Sequence, residues 1–194
     1  ITPESQESDL VRMMVGRELT SYYTRNFLPK GEEMLRVEHV SGGTMVRDCS
    51  FSVHKGEIVG FYGLVGAGRS ELLKAVMGLY PKHEGKVTFA GQDITKKSTL
   101  DIQKMGLCLV PENRKLEGLI LKNSIAFNMS ISVVHKFINA LRVNHKKEAE
   151  IVEGGIGSLS IKTPSMNQIV GNLSGGNQQK VVIAKWLAAE PKLL

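Results

Sequence analysis

An apolar run, a glycine-rich turn and an amphipathic helix follow one another directly in the first half of the chain. Residues 58–62 are apolar and bounded by glycine, which predicts a fully buried β-strand. Residues 70–77 carry apolar side chains at helical spacing, and Gly78 is a suitable residue to end that helix. A buried strand that leads through a tight turn into a helix points to a fold that mixes strands and helices.

Shorter elements surround this unit. Alternating or continuous apolar residues predict further strands at residues 34–40, 46–53, 86–90 and 107–110. Helical patterns are predicted at residues 8–19, 124–161 and 174–189. This order predicts a mixed α/β domain with a helical insertion.

The turn between the buried strand and its helix reads Gly-Leu-Val-Gly-Ala-Gly-Arg-Ser, residues 63–70. Glycines let the backbone curl so that successive N–H groups point at one anion. The helix near Ser70 adds unpaired N–H groups and the positive end of its dipole. The Ser70 hydroxyl stands where it can ligate Mg²⁺ beside a phosphate. An ordinary glycine-rich turn is the alternative, but the strand before it and the helix after it favour a phosphate-binding loop.

Arg69 occupies the position at which such loops usually carry lysine. Lysine brings a compact ammonium group to the phosphates, whereas the arginine guanidinium is longer, planar and forked. Arg69 therefore keeps the positive charge but cannot place it at the same point. We expect phosphate binding at this loop to survive the change better than hydrolysis does.

A second glycine turn, Leu-Ser-Gly-Gly-Asn-Gln-Gln-Lys at residues 173–180, opens the last predicted helix. Ser174 is a good N-cap residue, and Gly175 with Gly176 lets a ligand approach the backbone closely. Because a helix N-terminus favours negative charge, this turn is a second candidate anion site. A capped helix that follows a glycine turn and binds nothing is the alternative.

Composition excludes several classes of protein. The chain has 194 residues, room for one to two domains, and its 42% hydrophobic and 23% charged residues are those of an ordinary globular protein. Its formal net charge of +6 is spread along the sequence and reads as solvated surface. The two cysteines form no metal or disulfide pattern, and no apolar run is long enough to cross a bilayer. The apolar residues that close the chain at Leu194 read as the start of a strand, so we expect a piece of a longer polypeptide.

Taken together, the two glycine turns resemble those of ABC-type ATPases. Residues 173–180 resemble the signature motif of that family, and the Asn-Gln-Gln-Lys ending is typical of its sugar-importer branch. Residues 63–70 resemble the arginine-bearing phosphate loop of the second nucleotide-binding domain in tandem ATPases that power ribose, xylose and galactose import. Further segments resemble the same family at residues 14–19, 55–60, 110–119 and 162–166.

The resemblance implies a P-loop NTPase core of the ABC ATPase type, with an antiparallel β subdomain and a helical subdomain. Residues 1–30 would be a linker helix and connector from a preceding domain. Residues 31–194 would form a nucleotide-binding domain that stops before the Walker B strand, with its helical subdomain at about 112–190. The C-terminal part of the core would then lie beyond Leu194.

The resemblance also implies ATP and Mg²⁺ as cofactors, with Ser70 as a Mg²⁺ ligand beside the bound ATP. The residues implied to bind ATP in this domain are Gly63, Leu64, Val65, Gly66, Ala67, Gly68, Arg69, Ser70 and Glu71. The residues implied to cap ATP held by a partner domain are Leu173, Ser174, Gly175, Gly176, Asn177, Gln178 and Gln179.

Some parts of the family pattern are altered. Glu112 occupies the position of a glutamine that senses Mg²⁺ and the transporter, and we do not assign it a catalytic role. No aromatic residue lies between Phe27 and Phe51, where one would stack on adenine, so Met45 or Val46 is expected to pack there. The general-base glutamate, the Mg²⁺-ligating aspartate and the switch histidine are expected after Leu194. Residues 1–194 therefore contain no expected catalytic residue, and we expect no ATP hydrolysis by this stretch alone.

The function implied is that of an ATP-binding subunit of a carbohydrate ABC importer, which couples ATP binding and hydrolysis to sugar uptake. Its partners would be another nucleotide-binding domain, membrane permease subunits and, indirectly, a periplasmic-type sugar-binding protein, at the cytoplasmic face of the membrane. No nucleic acid partner is expected, because basic stretches interleaved with aromatics are absent. Two alternatives stay open: a degenerate regulatory module that binds nucleotide without hydrolysing it, and a soluble ABC ATPase not linked to transport. The sequence does not identify the sugar.

Overall fold

The computed structural model describes residues 29–139 and 142–194. The linker helix predicted for residues 8–19 lies outside the described residues, and the limits of the two predicted domains stay predictions.

An antiparallel sheet forms the first half of the described structure. Its four strands are β1 (Glu33–Gly42), β2 (Val46–His54), β3 (Glu84–Phe89) and β4 (Gln92–Asp93), in the order β2-β1-β3-β4. Alternating side chains put one face of β1 into the core, because successive residues of a strand point to opposite faces. The antiparallel β subdomain implied by the resemblance is therefore confirmed.

Helices α1 (Arg69–Val76) and α2 (Thr99–Lys104) belong to the same core. Ser98 caps α2 because its side chain accepts a hydrogen bond from the Asp101 N–H, and Gly78 follows α1 with a φ of 72°. The core is built from both helices and the sheet, and its buried side chains include Val37, Val40, Leu72, Val76, Val87, Phe89, Ile94 and Ile102.

The rest of the described chain is mostly helical. Its elements are a π-helical turn (Arg114–Gly118), α3 (Ile125–Ser130), a 3₁₀ turn (Ile131–Lys136), β5 (Ile138–Asn139), β6 (Arg142–Val143), α4 (His145–Ser158), a second 3₁₀ turn (Val170–Asn172) and α5 (Gly175–Leu187). They share a second core that includes Ile125, Met129, Val152, Val170, Val181 and Val182. The implied helical subdomain is confirmed, but the hairpin β5–β6 was not predicted. None of the helices in the described ranges combines the length and apolarity that a bilayer crossing requires.

The strand predicted over residues 58–62 is wrong. Ile58 and Tyr62 are fully exposed, at 98% and 101% of their reference areas, whereas Val59 packs against the first core and the Phe61 ring packs edge-on against Phe51 of β2. A strand exists through hydrogen bonds to a neighbour, and none of the strands in the described part of the chain forms a ladder with this segment. The phosphate loop is thus preceded by apolar residues without the predicted sheet ladder.

The strand predicted over residues 107–110 is reduced to a single pairing. Leu107 forms a parallel bridge with Leu193, and the Cys108 N–H donates to the Leu193 carbonyl at 3.0 Å. Leu107 and Cys108 are buried as predicted. The pairing also agrees with the interpretation of the last apolar residues as strand-forming.

The Glu57 carboxylate contacts His54, the last residue of β2. It pairs with Lys30, accepts a hydrogen bond from the His54 N–H at 3.0 Å, and lies 3.1 Å from His54 Nδ1. The Lys30 ammonium, followed by the His54 N–H, lowers the pKa of Glu57 from 4.5 to about 2. The ionised carboxylate therefore stabilises the folded state.

We expect Glu57→Gln to lower the thermal unfolding midpoint at neutral pH. The Glu57 contribution is complete above its unfolded pKa near 4.5 and is lost as the pH falls towards about 2. The difference in midpoint between wild type and variant should therefore shrink across that range in calorimetry at stepped pH. A difference that stays constant down to pH 2 would contradict this account.

Candidate functional site

The glycine-rich loop ends directly at the start of α1. Gly66 and Gly68 both have a φ of 82°, a left-handed conformation that glycine adopts without strain. Gly68 is the N-cap of α1, and no side chain caps the helix there. The first backbone N–H groups of α1 therefore remain available to an anion.

The side chains of the loop leave its backbone open. Leu64 and Val65 are almost fully exposed, and the Ala67 N–H donates to the Leu64 carbonyl at 3.1 Å to close the turn. The Arg69 guanidinium lies 3.5 Å from the same carbonyl oxygen. The positively charged end of Arg69 thus lies against the backbone of its own loop.

Two side-chain contacts join α1 to the segment that follows Pro111. The Ser70 hydroxyl donates to Glu112 Oε2 at 3.0 Å, and Lys74 Nζ lies 3.0 Å from Glu117 Oε1. Ser70 and Glu112 present oxygen ligands of the kind that Mg²⁺ prefers. Sequence reasoning singled out both residues but not their direct contact, because they stand 42 positions apart.

The loop, α1 and the segment 109–117 line one cavity of about 760 Å³. Its volume is in the range of small-molecule sites. The charged side chains that line it are basic at Arg69, Lys74, Arg114 and Lys115 and acidic at Glu71, Glu112 and Glu117. The open backbone N–H groups at the start of α1 are the feature of this cavity that favours an anionic ligand, and the three carboxylates offset most of the positive side-chain charge.

The second glycine turn opens α5. Ser174 is the N-cap, and its Oγ accepts hydrogen bonds from the Asn177 N–H at 3.4 Å and from Asn177 Nδ2 at 3.1 Å. Ser174, Gly175 and Gly176 are exposed, and a Cβ at Gly176 would meet open space. A neighbouring molecule can therefore reach the backbone of this turn.

The side chain of Gln178 is buried beneath the turn. Its amide donates to the Leu173 carbonyl at 3.1 Å and accepts from Arg114 Nε at 3.2 Å. A Cβ at Gly175 would lie 2.8 Å from the Arg114 guanidinium. Gln178 was predicted among the residues that cap ATP of a partner domain, and that role stays a prediction; the structure places its buried side chain beneath the turn.

Arg114 is the residue that sequence reasoning missed. It lines the cavity of the first loop and also contacts the second turn through Gln178. Its position two residues after Glu112, in a segment that resembled the family, was the available signal. The contact itself spans 64 positions and is not visible in the sequence.

Met45 lies against the start of α1. A methyl group at Gly68 would come within 2.9 Å of the Met45 carbonyl oxygen and 3.2 Å of its Cβ. Of the two residues offered as a replacement for the adenine-stacking aromatic, Val46 is buried in the core and Met45 is 45% exposed. Contact of Met45 with adenine stays a prediction.

The sheet subdomain, the helical subdomain and the glycine loop at the start of α1 define a P-loop NTPase of the ABC type. Residues 46–194 match the family model described as ABC transporter. The chain therefore belongs to the ABC transporter family and has the fold of its ATP-binding domain.

Similar proteins fall in the same family. The chain is 44% identical over 192 residues to the ribose import ATP-binding protein RbsA of Caldanaerobacter subterraneus subsp. tengcongensis, covering 98% of this chain and 39% of that protein. It is 41% identical over 191 residues to RbsA of Oceanobacillus iheyensis, covering 98% and 38%. The chain thus spans about two fifths of the length of these relatives.

Solved structures agree with the fold. A structure of MJ1267, an ATP-binding cassette of an ABC transporter, matches with a TM-score of 0.69 at 24% identity, covering 82% of this chain and 66% of that chain. The ADP conformation of MJ1267 matches with a TM-score of 0.66 at 25% identity and the same coverage.

The two left-handed glycines of the loop differ in their surroundings, which gives a matched pair of variants. We expect Gly66→Ala to destabilise the fold by about 1 kcal/mol, the cost of a left-handed alanine. Gly68→Ala adds a clash with the Met45 backbone, and we expect about 2–4 kcal/mol. Urea unfolding of both variants measures the difference, and equal losses would contradict the close approach of Met45.

Proposed function

We propose that the chain is a nucleotide-binding domain of a carbohydrate ABC importer, whose full-length protein couples ATP hydrolysis to sugar uptake. The observation that carries the proposal is the pair of glycine turns, residues 63–70 and 174–176, each of which leads into a helix whose first backbone N–H groups can meet an anion. The identity with ribose import ATP-binding proteins supports a sugar as the transported substrate. The sugar itself is not assigned.

The first site fits ATP with Mg²⁺. The backbone N–H groups of the loop and of α1 would bind the phosphates, and the cavity has room for a nucleotide. Ser70 and Glu112 would hold Mg²⁺, whose positive charge offsets the negative charge of the phosphates. Because Arg69 is folded over the Leu64 carbonyl, the loop binds phosphate without a lysine ammonium at its centre.

The second turn acts on a neighbouring domain. Ser174, Gly175 and Gly176 would cap the γ-phosphate of ATP held by the phosphate loop of a partner nucleotide-binding domain. Their exposure supports this role, since a second molecule can reach them. Arg69 supports assignment to the second domain of a tandem pair. Hydrolysis then proceeds mainly at the site that turn 174–176 completes, and the Arg69 site mainly binds.

An exposed apolar stripe supports a membrane permease as partner. Phe127 and Ile131 stand four residues apart on α3 and at its end, Val134 follows a kink at Val133 in the 3₁₀ turn, and the three side chains are each about 40% exposed. Ile138 and Val143 are paired on the neighbouring hairpin and equally exposed. An apolar surface of this kind marks a protein contact. We assign it to the permease, which places the domain at the cytoplasmic face of the membrane.

A regulatory module that binds nucleotide without hydrolysing it is the second candidate. The folded Arg69 side chain and the carboxylate of Glu112 beside Ser70 favour it for the domain's own site. Both functions are compatible in one protein if the partner's site hydrolyses.

Ser174→Arg in the full-length protein tests the role of the second turn. A long cationic side chain would fill the space that the partner's phosphate needs, so we expect ATP turnover to fall roughly tenfold or more. Ser158→Arg, at the exposed end of α4, is the matched control and should retain turnover. Unchanged turnover in Ser174→Arg would refute the proposed capping role.

Arg69→Lys tests the weak first site. In the Ser174→Arg background the remaining turnover comes mainly from the Arg69 site, so the effect of a lysine can be measured there. We expect Arg69→Lys to raise that remaining turnover by roughly tenfold, because the ammonium reaches the phosphates as a point charge. If the lysine changes nothing, the geometric argument about the guanidinium is wrong.

A further inference from the structure

We propose that Asn177 is a positioning residue that fixes the Ser174 hydroxyl as an outward-facing hydrogen-bond donor to a phosphate on the partner domain. The inference rests on the proposed function of turn 174–176. It concerns a residue of α5 that the resemblance places among those capping ATP, and whose side chain here contacts Lys162 and Ser174 of its own chain.

The orientation of the Asn177 amide is determined by a backbone group. Asn177 Oδ1 accepts a hydrogen bond from the Lys162 N–H at 3.0 Å. A backbone N–H only donates, so the amide atom that faces it must be the oxygen. The NH₂ group of Asn177 is therefore directed at Ser174 Oγ, 3.1 Å away.

The direction of that contact determines what the Ser174 hydroxyl can do. Its oxygen accepts from Asn177 Nδ2 at 3.1 Å and from the Asn177 N–H at 3.4 Å. A hydroxyl has two acceptor lone pairs and one donated proton, and an amide NH₂ accepts nothing. Both lone pairs are thus engaged on the Asn177 side, and the proton is left to point away from it.

The outward proton meets the needs of an incoming anion. Ser174 is exposed, so the hydroxyl proton is available to a molecule that docks on the turn. A donor that is already oriented before the anion arrives needs no reorganisation, which is the condition under which such groups stabilise charge most. The phosphate then receives one hydroxyl in addition to the free N–H groups of the helix start.

A second contact holds the same loop to α5 without touching Ser174. Lys180 Nζ donates to the Ser160 carbonyl at 3.0 Å, two residues before Lys162. Removing this contact loosens the loop but leaves the amide and the hydroxyl in place. Lys180→Met therefore separates anchoring of the loop from orientation of the hydroxyl.

The experiment measures kcat and KM for ATP in the full-length protein assembled with its permease. Asn177→Asp keeps the shape of the side chain but replaces the NH₂ donor with an oxygen that accepts hydrogen bonds, so we expect the Ser174 hydroxyl to donate inward to it. Asn177→Ala removes the orienting group. We expect each variant to lower kcat about tenfold, as Ser174→Ala does, with KM changed less than threefold.

A double-mutant cycle decides whether Asn177 acts through Ser174. We expect Ser174→Ala/Asn177→Ala to be no slower than Ser174→Ala alone, and Lys180→Met to keep kcat within about twofold of wild type. Thermal unfolding of every variant verifies that it folds. If the alanine at 177 leaves a void that unfolds the protein, the isosteric aspartate, alone and with Ser174→Ala, completes the cycle.

The outcomes separate this inference from the function on which it rests. If Ser174→Ala keeps wild-type turnover, the capping role of the turn fails. If Ser174→Ala is slow but the Asn177 variants are fast, only the positioning role fails. Additive losses in the cycle, or a loss in Lys180→Met as large as that in Asn177→Asp, would also overturn it, because Asn177 would then act as a structural anchor.

Discussion

The candidate site depends on backbone N–H groups at the starts of α1 and α5 that have no hydrogen-bond partner within their helices. Every helix leaves its first N–H groups without partners, and these must be met by a cap, water or a ligand. At α1 no side chain meets them, and at α5 only Ser174 does. Residues 64–67 before α1 and residues 174–176 at the start of α5 are exposed, so an anion from outside can approach both helix starts.

The segment that follows Pro111 connects these two helix starts. Glu112 accepts from Ser70, Glu117 pairs with Lys74, and Arg114 donates to the buried Gln178 beneath the second turn. One short stretch of chain therefore contacts both candidate anion sites, and its position depends on contacts with each.

Local patterns in the sequence predicted the elements that depend on local contacts. Alternating residues located β1, β2 and β3, and the serine before α5 marked the start of that helix. The segment 58–62 failed because an apolar run reports a tendency towards burial, whereas a strand needs a neighbour. The supporting role of Gln178 was equally out of reach, since it depends on a partner 64 positions away.

The adjacent glycines of the second turn face different constraints. At Gly175 even a methyl group would displace the Arg114 guanidinium, whereas at Gly176 it would enter solvent. A substitution at position 175 would thus require the Arg114 guanidinium to move, whereas one at position 176 would be restricted only by a molecule that docks from outside. A survey of natural variation at the two positions would separate the demands of folding from those of assembly.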